Sequence, residues 1–327
     1  MAVYTALSLA QINHLFQAYE LGIVTLAESI TDGIENTTYL LEFATAKKAI
    51  LTLYESQPAE QINFLNRMIT QLGKAGLPVA VPFSTRDGET LSFYNQKPVV
   101  ISPFLSGDHP SSINSEICFQ LGQAVAQFHL ALTSFEPDSR LKFQHPWWQT
   151  NLTAFKSQLN QHDRIKISEL SALFERQKRC YSSHELESAM GWIHGDLFRD
   201  NVKIIEHQIT GMIDFSHSQY QFWLFDLAII IHDWCLDQNH HYDKKLVSSL
   251  IRGYRSYRPF NPMEHQLWPL ILPLAALKFW LSRLKARQQN QGQILDSKLR
   301  IKIDSEKDPN QYRRLFYQAC QACPALH

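Results

Sequence analysis

The chain is short of cysteine, carries no excess of charge, and lacks a clean apolar run. Its five cysteines, Cys118, Cys180, Cys235, Cys320 and Cys323, are an odd number scattered through segments that read as helices. They make no disulfide framework and point to a reducing compartment. Cys320-Gln-Ala-Cys323 has the spacing of half a zinc or redox site, but no second pair completes it, so incidental thiols are expected there. Lys and Arg total 31, as do Asp and Glu, and no dense basic run occurs. Neither a nucleic-acid partner nor a membrane surface is expected. The chain start has no charged segment leading into an apolar core, so no secretory leader is expected and the expected location is cytoplasmic. The two most apolar stretches are 222–236, broken by Asp226, His232 and Asp233, and 267–281, broken by Pro269, Pro273 and Lys278. Both are too short or too interrupted to span a bilayer and read as buried helices.

What the chain does have is His194-Gly195-Asp196-Leu197-Phe198-Arg199-Asp200-Asn201, followed by Ile213-Asp214-Phe215. An alcohol is a weak nucleophile and needs a nearby carboxylate to take its proton as it attacks phosphorus. Asp196 is the candidate base. A phosphoryl group in transfer is polyanionic, and a divalent metal with hard oxygen ligands offsets that charge. Asn201 offers an amide oxygen and Asp214 a carboxylate. Asp and Asn near turns usually do no more than build the turn. Here 201–206 reads as a strand, His207-Gln208 as a turn and 209–215 as the returning strand, which sets Asn201 and Asp214 at the same end of a hairpin. Asp, four residues, Asn, then Asp a hairpin later is the order of kinase catalytic and metal-binding loops. Gly195 stands where protein kinases carry Arg, and Ser216 follows Asp214-Phe215 where they carry Gly. Both differences point to the aminoglycoside phosphotransferase and choline kinase group, with ATP and magnesium as cofactors.

The rest of the chain fits that plan. An opening helix over 8–20 is N-capped by Ser8. Strands follow over 22–29, 37–43 and 49–54, then a helix from Pro58 to about 71, then short strands over 79–82, 90–94 and 98–102. Residues 103–108 have the composition of a hinge. Beyond them helices are expected over 114–133, 147–159, 165–180, 222–237, 244–254, 262–288 and 310–321. The expected class is α+β, a protein-kinase-like two-lobed fold: a small antiparallel β N-lobe with one packed helix (1–102), the hinge (103–108), and a larger, mainly helical C-lobe (109–327) carrying the catalytic loop. Adenine is expected against the hinge backbone near Phe104.

Taken end to end, the chain resembles the type II homoserine kinases within the aminoglycoside phosphotransferase superfamily. The likeness rests on Gly33-Ile-Glu-Asn-Thr37, Ala49-Ile-Leu-Thr-Leu-Tyr-Glu55, Gly76-Leu-Pro-Val79 and the loop 193–202. It continues through Trp223-Leu-Phe-Asp-Leu-Ala228, Asp233-Trp-Cys235, Tyr257-Arg-Pro-Phe260, Glu264-His265, Trp268, Arg283 and Asp308-Pro309. The resemblance implies ATP-dependent phosphorylation of the L-homoserine hydroxyl, a step of threonine biosynthesis. It implies Asp196 as base, Asn201 and Asp214 as magnesium ligands, and Asp226 as the buried aspartate that pins the catalytic loop. His194 is implied as a loop-orienting partner in the catalytic set.

One departure from kinases at large concerns the third strand, which usually carries a phosphate-holding lysine paired with a helix glutamate. Thr52 occupies the matching position, Lys47 and Lys48 lie earlier, and Asn66 stands where the glutamate is expected, with Glu60 near the helix start. The turn amides of Ile34, Glu35 and Asn36 are the expected phosphate contacts instead. An amino-acid substrate wants a cation for its carboxylate and an anion for its ammonium. Arg283, alone on an apolar helix, Asp233, Arg199 and Trp234 are the candidates, although structural pairing of Arg283 with Asp226, Asp233 or Asp308 competes. His129 reads as a satisfied core histidine and Trp147-Trp148 as a packing anchor. Two other readings stand beside this one: a kinase of another small alcohol (choline, methylthioribose or aminoglycoside type), and a catalytically idle nucleotide-binding protein. The oligomeric state is not legible.

Overall fold

The structure, a computed structural model, describes residues 5–30, 36–136, 155, 158–291 and 308–326. The candidate contacts Ile34 and Glu35, the Trp147-Trp148 pair and most of the expected helix 147–159 lie outside the described residues. Compactness divides the chain into two units, 1–110 with 201–216, and 111–200 with 217–327. The segments read from sequence run continuously along the chain; compactness instead groups the 201–216 hairpin with the N-terminal residues.

The first unit is built on a five-stranded antiparallel sheet of order β1-β2-β3-β5-β4. Its strands are β1 (Val24–Ser29), β2 (Thr37–Phe43), β3 (Lys48–Leu53), β4 (Ser92–Tyr94) and β5 (Lys97–Pro103). Strict alternation along β2 sends Tyr39, Leu41 and Phe43 inward. With Leu51, Leu53 and Ile101 they form one core under helix α1 (Leu9–Phe16), which contributes Ile12 and Phe16. A capping box, Ser8 with Gln11, starts α1. Helix α2 (Ala59–Lys74) supplies Ile62 to a second cluster with Leu91 and Val100. Two helices, α1 and α2, therefore accompany this sheet in place of one. Residues 79–82, expected as a strand, make only a single bridge, Val79 to Met212. The hairpin of β7 (Val202–Ile205) and β8 (Gln208–Met212) turns at Glu206-His207, both left-handed at φ 45° and 68°, one residue earlier than expected. It joins the N-terminal residues through paired bonds between Asp108 and Ile204 (2.9 and 3.1 Å) and through Met212 N–H to Pro78 O at 2.8 Å.

The second unit is mostly helical: α3 (Ser115–Ala131), α4 (Gln161–Lys178), α5 (Ser183–Glu187), α6 (Leu224–Trp234), α7 (Lys244–Arg255), α8 (Pro262–Gln291) and α9 (Pro309–Gln321). A short antiparallel pair, β6 (Met190–Ile193) with β9 (Gln219–Phe222), flanks the loop that begins at His194. Helices α3 and α7 approach closely because glycines face backbone: a Cβ on Gly122 would lie 2.1 Å from Leu250 O, and one on Gly253 2.0 Å from Phe119 O. Helix α8 is long and apolar enough, by composition alone, to cross a membrane. Leu267, Ile271, Leu274 and Leu281 on it are completely buried, and the helix packs against α6 and α9. Half-buried Phe279 and buried Tyr312 link α8 and α9 at 5.5 Å.

Candidate active site

In the second unit the loop from His194 to Asp200 leaves β6 and is held by α6. Asp226, in the first turn of α6 and fully buried, accepts the backbone N–H of His194 (Oδ2, 2.8 Å) and of Gly195 (Oδ1, 2.8 Å). Its Oδ2 also lies 3.0 Å from His129 Nε2, and His129 Nδ1 lies 2.9 Å from the Tyr254 hydroxyl. A carboxylate only accepts, so His129 carries its proton on Nε2, and Tyr254 donates to Nδ1. Arg258 closes the chain, donating to the Tyr254 oxygen at 3.3 Å and pairing with Glu264 at 2.9 Å. Burial pushes the Asp226 carboxyl up, but the bond from His129, the fields of His129 and His194, and the Gly195 N–H bring it below the ordinary carboxylate value. Burial pushes His129 down, against the pull of Asp226. His129 is thus a core histidine with both ring nitrogens bonded.

Further along α6, Asp233 accepts the Arg199 N–H through Oδ2 at 2.8 Å. The Arg199 guanidinium donates to the Asp233 carbonyl. Burial raises the Asp233 carboxyl, opposed by Arg199. Trp234 is fully buried and donates its indole N–H to Leu197 O at 3.1 Å. Phe198 meets the edge of Phe279 from α8 at 4.8 Å. Three residues of one helix, Asp226, Asp233 and Trp234, therefore grip successive backbone groups of the loop. Gly195 has φ +79°, and a Cβ there would stand 2.4 Å from His217 O; no side chain fits, which explains glycine where kinases carry arginine. The half-buried Asp196 sits in the middle of this braced segment.

Arg283 is placed elsewhere than on a carboxylate. It donates to Asp308 O at 3.2 Å and Gln311 Oε1 at 2.8 Å, and its guanidinium stacks over Tyr312 at 4.2 Å. It ties α8 to the start of α9, where Asp308 is the N-cap. Asp233 still contributes to its field. His232, beside Asp233, faces the core: Nε2 bonds Leu272 O at 2.8 Å and Nδ1 the Tyr242 hydroxyl at 3.2 Å.

Sequence reasoning gave Lys278 no role. Its Nζ donates to Gly195 O at 3.2 Å. Burial lowers its pKa, while Asp196 and Asp226 raise it. The available signal was that it is the one charged residue in the apolar stretch 267–281.

In the first unit the hairpin ends meet through Ile213 N–H to Asn201 O at 3.0 Å. Asn201 is buried at 8% exposure. Asp214 follows β8 in a left-handed conformation, φ 60°, which Asp tolerates better than most residues. Its Oδ1 accepts Ser216 Oγ–H at 2.6 Å and Ser216 N–H at 3.2 Å, so the serine that replaces the kinase glycine orients the carboxylate. Among the described residues no cluster of three or more His, Cys, Asp or Glu forms. An amide oxygen and one carboxylate suit a magnesium ion, which takes hard oxygen ligands and keeps several waters or phosphate oxygens. Tyr54, at the end of β3, is pushed up to about 12, first by burial and then by Asp214.

Thr52 pairs with Thr38 on one side and Val100 on the other, mid-sheet. Lys48 is paired with Glu42 across the ladder at 3.5 Å. Asn66, buried, donates to Thr90 O and Oγ1, each at 3.2 Å, so it braces the β4 approach. Asn36 accepts the Glu55 N–H at 3.4 Å, and Glu55 is ion-paired with Lys97. Phe104, 37% exposed, follows β5 and donates its N–H to Lys48 O at 3.3 Å.

A model of the phosphotransferase enzyme family matches residues 27–260. The homoserine kinase of Paraburkholderia phymatum is 32% identical over 294 residues, 87% of this chain and 90% of that protein. The homoserine kinase of Methylobacillus glycogenes is 30% identical over 324 residues, 98% of this chain and 96% of that protein. Among solved structures, a spectinomycin phosphotransferase in complex with ADP and spectinomycin superposes with a TM-score of 0.70 at 16% identity, covering 96% of this chain and 99% of that one. That last likeness speaks to the fold alone, and it is the kinase-like α+β fold.

Proposed function

We propose that this chain, which belongs to the phosphotransferase enzyme family and within it to the homoserine kinases, transfers the terminal phosphoryl group of ATP to the side-chain hydroxyl of L-homoserine. The product is O-phospho-L-homoserine. The observation that carries the reading is the end-to-end likeness to homoserine kinases in a chain that keeps Asp196, Asn201 and Asp214.

Asp196 takes the hydroxyl proton as oxygen attacks phosphorus. The loop that bears it is held by bonds to Asp226, Asp233 and Trp234, so the carboxylate needs little reorganisation at the moment of reaction. Asn201 and Asp214 would hold a magnesium ion, which would offset the negative charge of the phosphates. Four residues separate Asp196 from Asn201 along the chain, as the kinase pattern requires. Asn36, Thr52 and Phe104 are assigned to the nucleotide side, with Phe104 against adenine. Asp233 and Arg199 supply the charges for the amino-acid zwitterion, supported by their pairing beside the loop. Arg283 reaches the same field through Asp233. Trp234 serves the loop through Leu197 in place of direct substrate contact.

The test is ADP release with magnesium-ATP across L-homoserine, L-serine, choline, methylthioribose and kanamycin. Strong preference for L-homoserine is expected. Turnover of another acceptor would keep the chemistry and overturn the substrate, and silence across the panel with ATP still bound would favour an idle nucleotide-binding protein.

A further inference from the structure

The Gly195–Asp196 link is held from two directions. On one side the Gly195 N–H rests on Asp226 Oδ1 at 2.8 Å. On the other the Gly195 carbonyl, which belongs to the very peptide that carries Asp196, accepts from Lys278 Nζ at 3.2 Å. Lys278 rises from a helix whose neighbours Leu274, Ala275, Leu277 and Leu281 are all fully buried. Lys278 itself is half-buried, and a lysine set among such residues still needs its charge met. The fields of two carboxylates, Asp196 and Asp226, act on it.

We propose that Lys278 is a positioning residue for phosphoryl transfer: its ammonium fixes the Gly195–Asp196 peptide and gives the Asp196 carboxylate a positive neighbour. This rests on Asp196 being the base of the proposed reaction. The groups around the pair come from every packed element. Asp226 and Asp233 belong to α6, His129 to α3, Arg283 to α8, Tyr312 to α9, and His194, Arg199 and Asp200 to the loop. Within this set Asp226 is already matched by His129 and two backbone N–H groups, and Arg199 by Asp233. Lys278 Nζ, held on Gly195 O at 3.2 Å, stands one peptide from Asp196. A cation at that place favours the ionised carboxylate, the form that can accept a proton. Removing it therefore moves the acid limb of activity upward in pH.

Three variants separate charge from bonding. Lys278→Gln keeps a donor for Gly195 O and removes the charge, Lys278→Met removes both, and Lys278→Arg keeps the charge. The readouts are kcat and KM for L-homoserine with magnesium-ATP, pH profiles of kcat/KM, and binding of a fluorescent ATP analogue to report folding. For Lys278→Gln we expect kcat to fall about tenfold or more and the acid limb to rise by about one pH unit. We expect little change in KM, and a limb close to wild type in Lys278→Arg. A wild-type kcat and limb in Lys278→Gln would overturn the inference. So would a raised KM with kcat and limb unchanged, which would make the ammonium an anchor for the substrate carboxylate. Should wild-type protein ignore L-homoserine, the substrate reading fails by itself. The same profiles are then taken on slow ATP hydrolysis, where water is the acceptor and the expected shift is the same.

Discussion

His129 and Asp226, 97 residues apart in sequence, share a 3.0 Å bond with both side chains wholly out of solvent. Through it the apolar helix α3 supports the catalytic loop: Tyr254 holds His129, His129 holds Asp226, and Asp226 holds the two N–H groups immediately before Asp196. Every member of the chain is bonded, which is the condition under which a buried polar network rigidifies and does not destabilise.

Replacing Asp226 with Asn keeps the shape and removes one acceptor. One of the two loop N–H groups, or His129, then faces an NH2 group. The expected cost is about 1–3 kcal/mol of stability, with kcat lowered well beyond what the stability loss explains. Denaturant unfolding and steady-state kinetics on the same preparation check this; a stable variant with wild-type kcat would show that the loop needs no such support.

Gly195→Ala attacks the loop without touching a polar side chain. The left-handed backbone alone costs about 1–2 kcal/mol, and the added methyl meets His217 O at 2.4 Å. The loop must shift, so activity should drop by a factor of ten or more while the melting temperature changes by only a few degrees. Unchanged kcat in a folded Gly195→Ala protein would contradict the geometry.

Asp196→Asn removes the proton acceptor and leaves the shape. Turnover is expected to fall at least about a hundredfold, with nucleotide affinity kept. Isothermal titration with a non-hydrolysable ATP analogue separates the two quantities, and full turnover would remove Asp196 from the mechanism.

Stability should fall on the acid side of neutrality. His232 is pushed down from 6.5 to about 4 by burial, against the opposing bond to Leu272 O. Between those values the unfolded chain binds a proton at this site that the folded chain refuses, so stability rises with pH through the window and is lost as pH drops. The slope is up to about 1.4 kcal/mol per pH unit for one site, with His129 acting in the same direction. Urea midpoints at pH 7, 6 and 5 measure it, and His232→Gln should flatten the slope.

Much of the architecture is local and therefore legible. Ser8 with Gln11 marks a helix start, alternation in 37–43 marks a half-buried strand, and the spacing from Asp196 to Asn201 to Asp214 marks the phosphotransferase family. The misses have local causes too. Met190–Ile193 and Gln219–Phe222 are four residues each, too short for periodicity to speak, and they exist because they pair with one another. The hairpin turn slid by one residue because Glu206 and His207 both accept positive φ, a property that composition does not rank.

The sequence by itself determined the chemical inventory: Asp196, Asn201 and Asp214 in the order and spacing of kinase loops, a third strand with Thr52 in place of lysine, and two long apolar stretches. Those follow from residue identity and short-range spacing. Tertiary structure alone decided what each charged group is for. It placed Arg283 against Asp308 O and Tyr312, turned His232 toward the core, gave His129 to Asp226 and brought Lys278 to Gly195, 83 residues away. Partners so far apart are chosen by how helices pack, and packing depends on the shape of the whole unit, which no window of sequence contains.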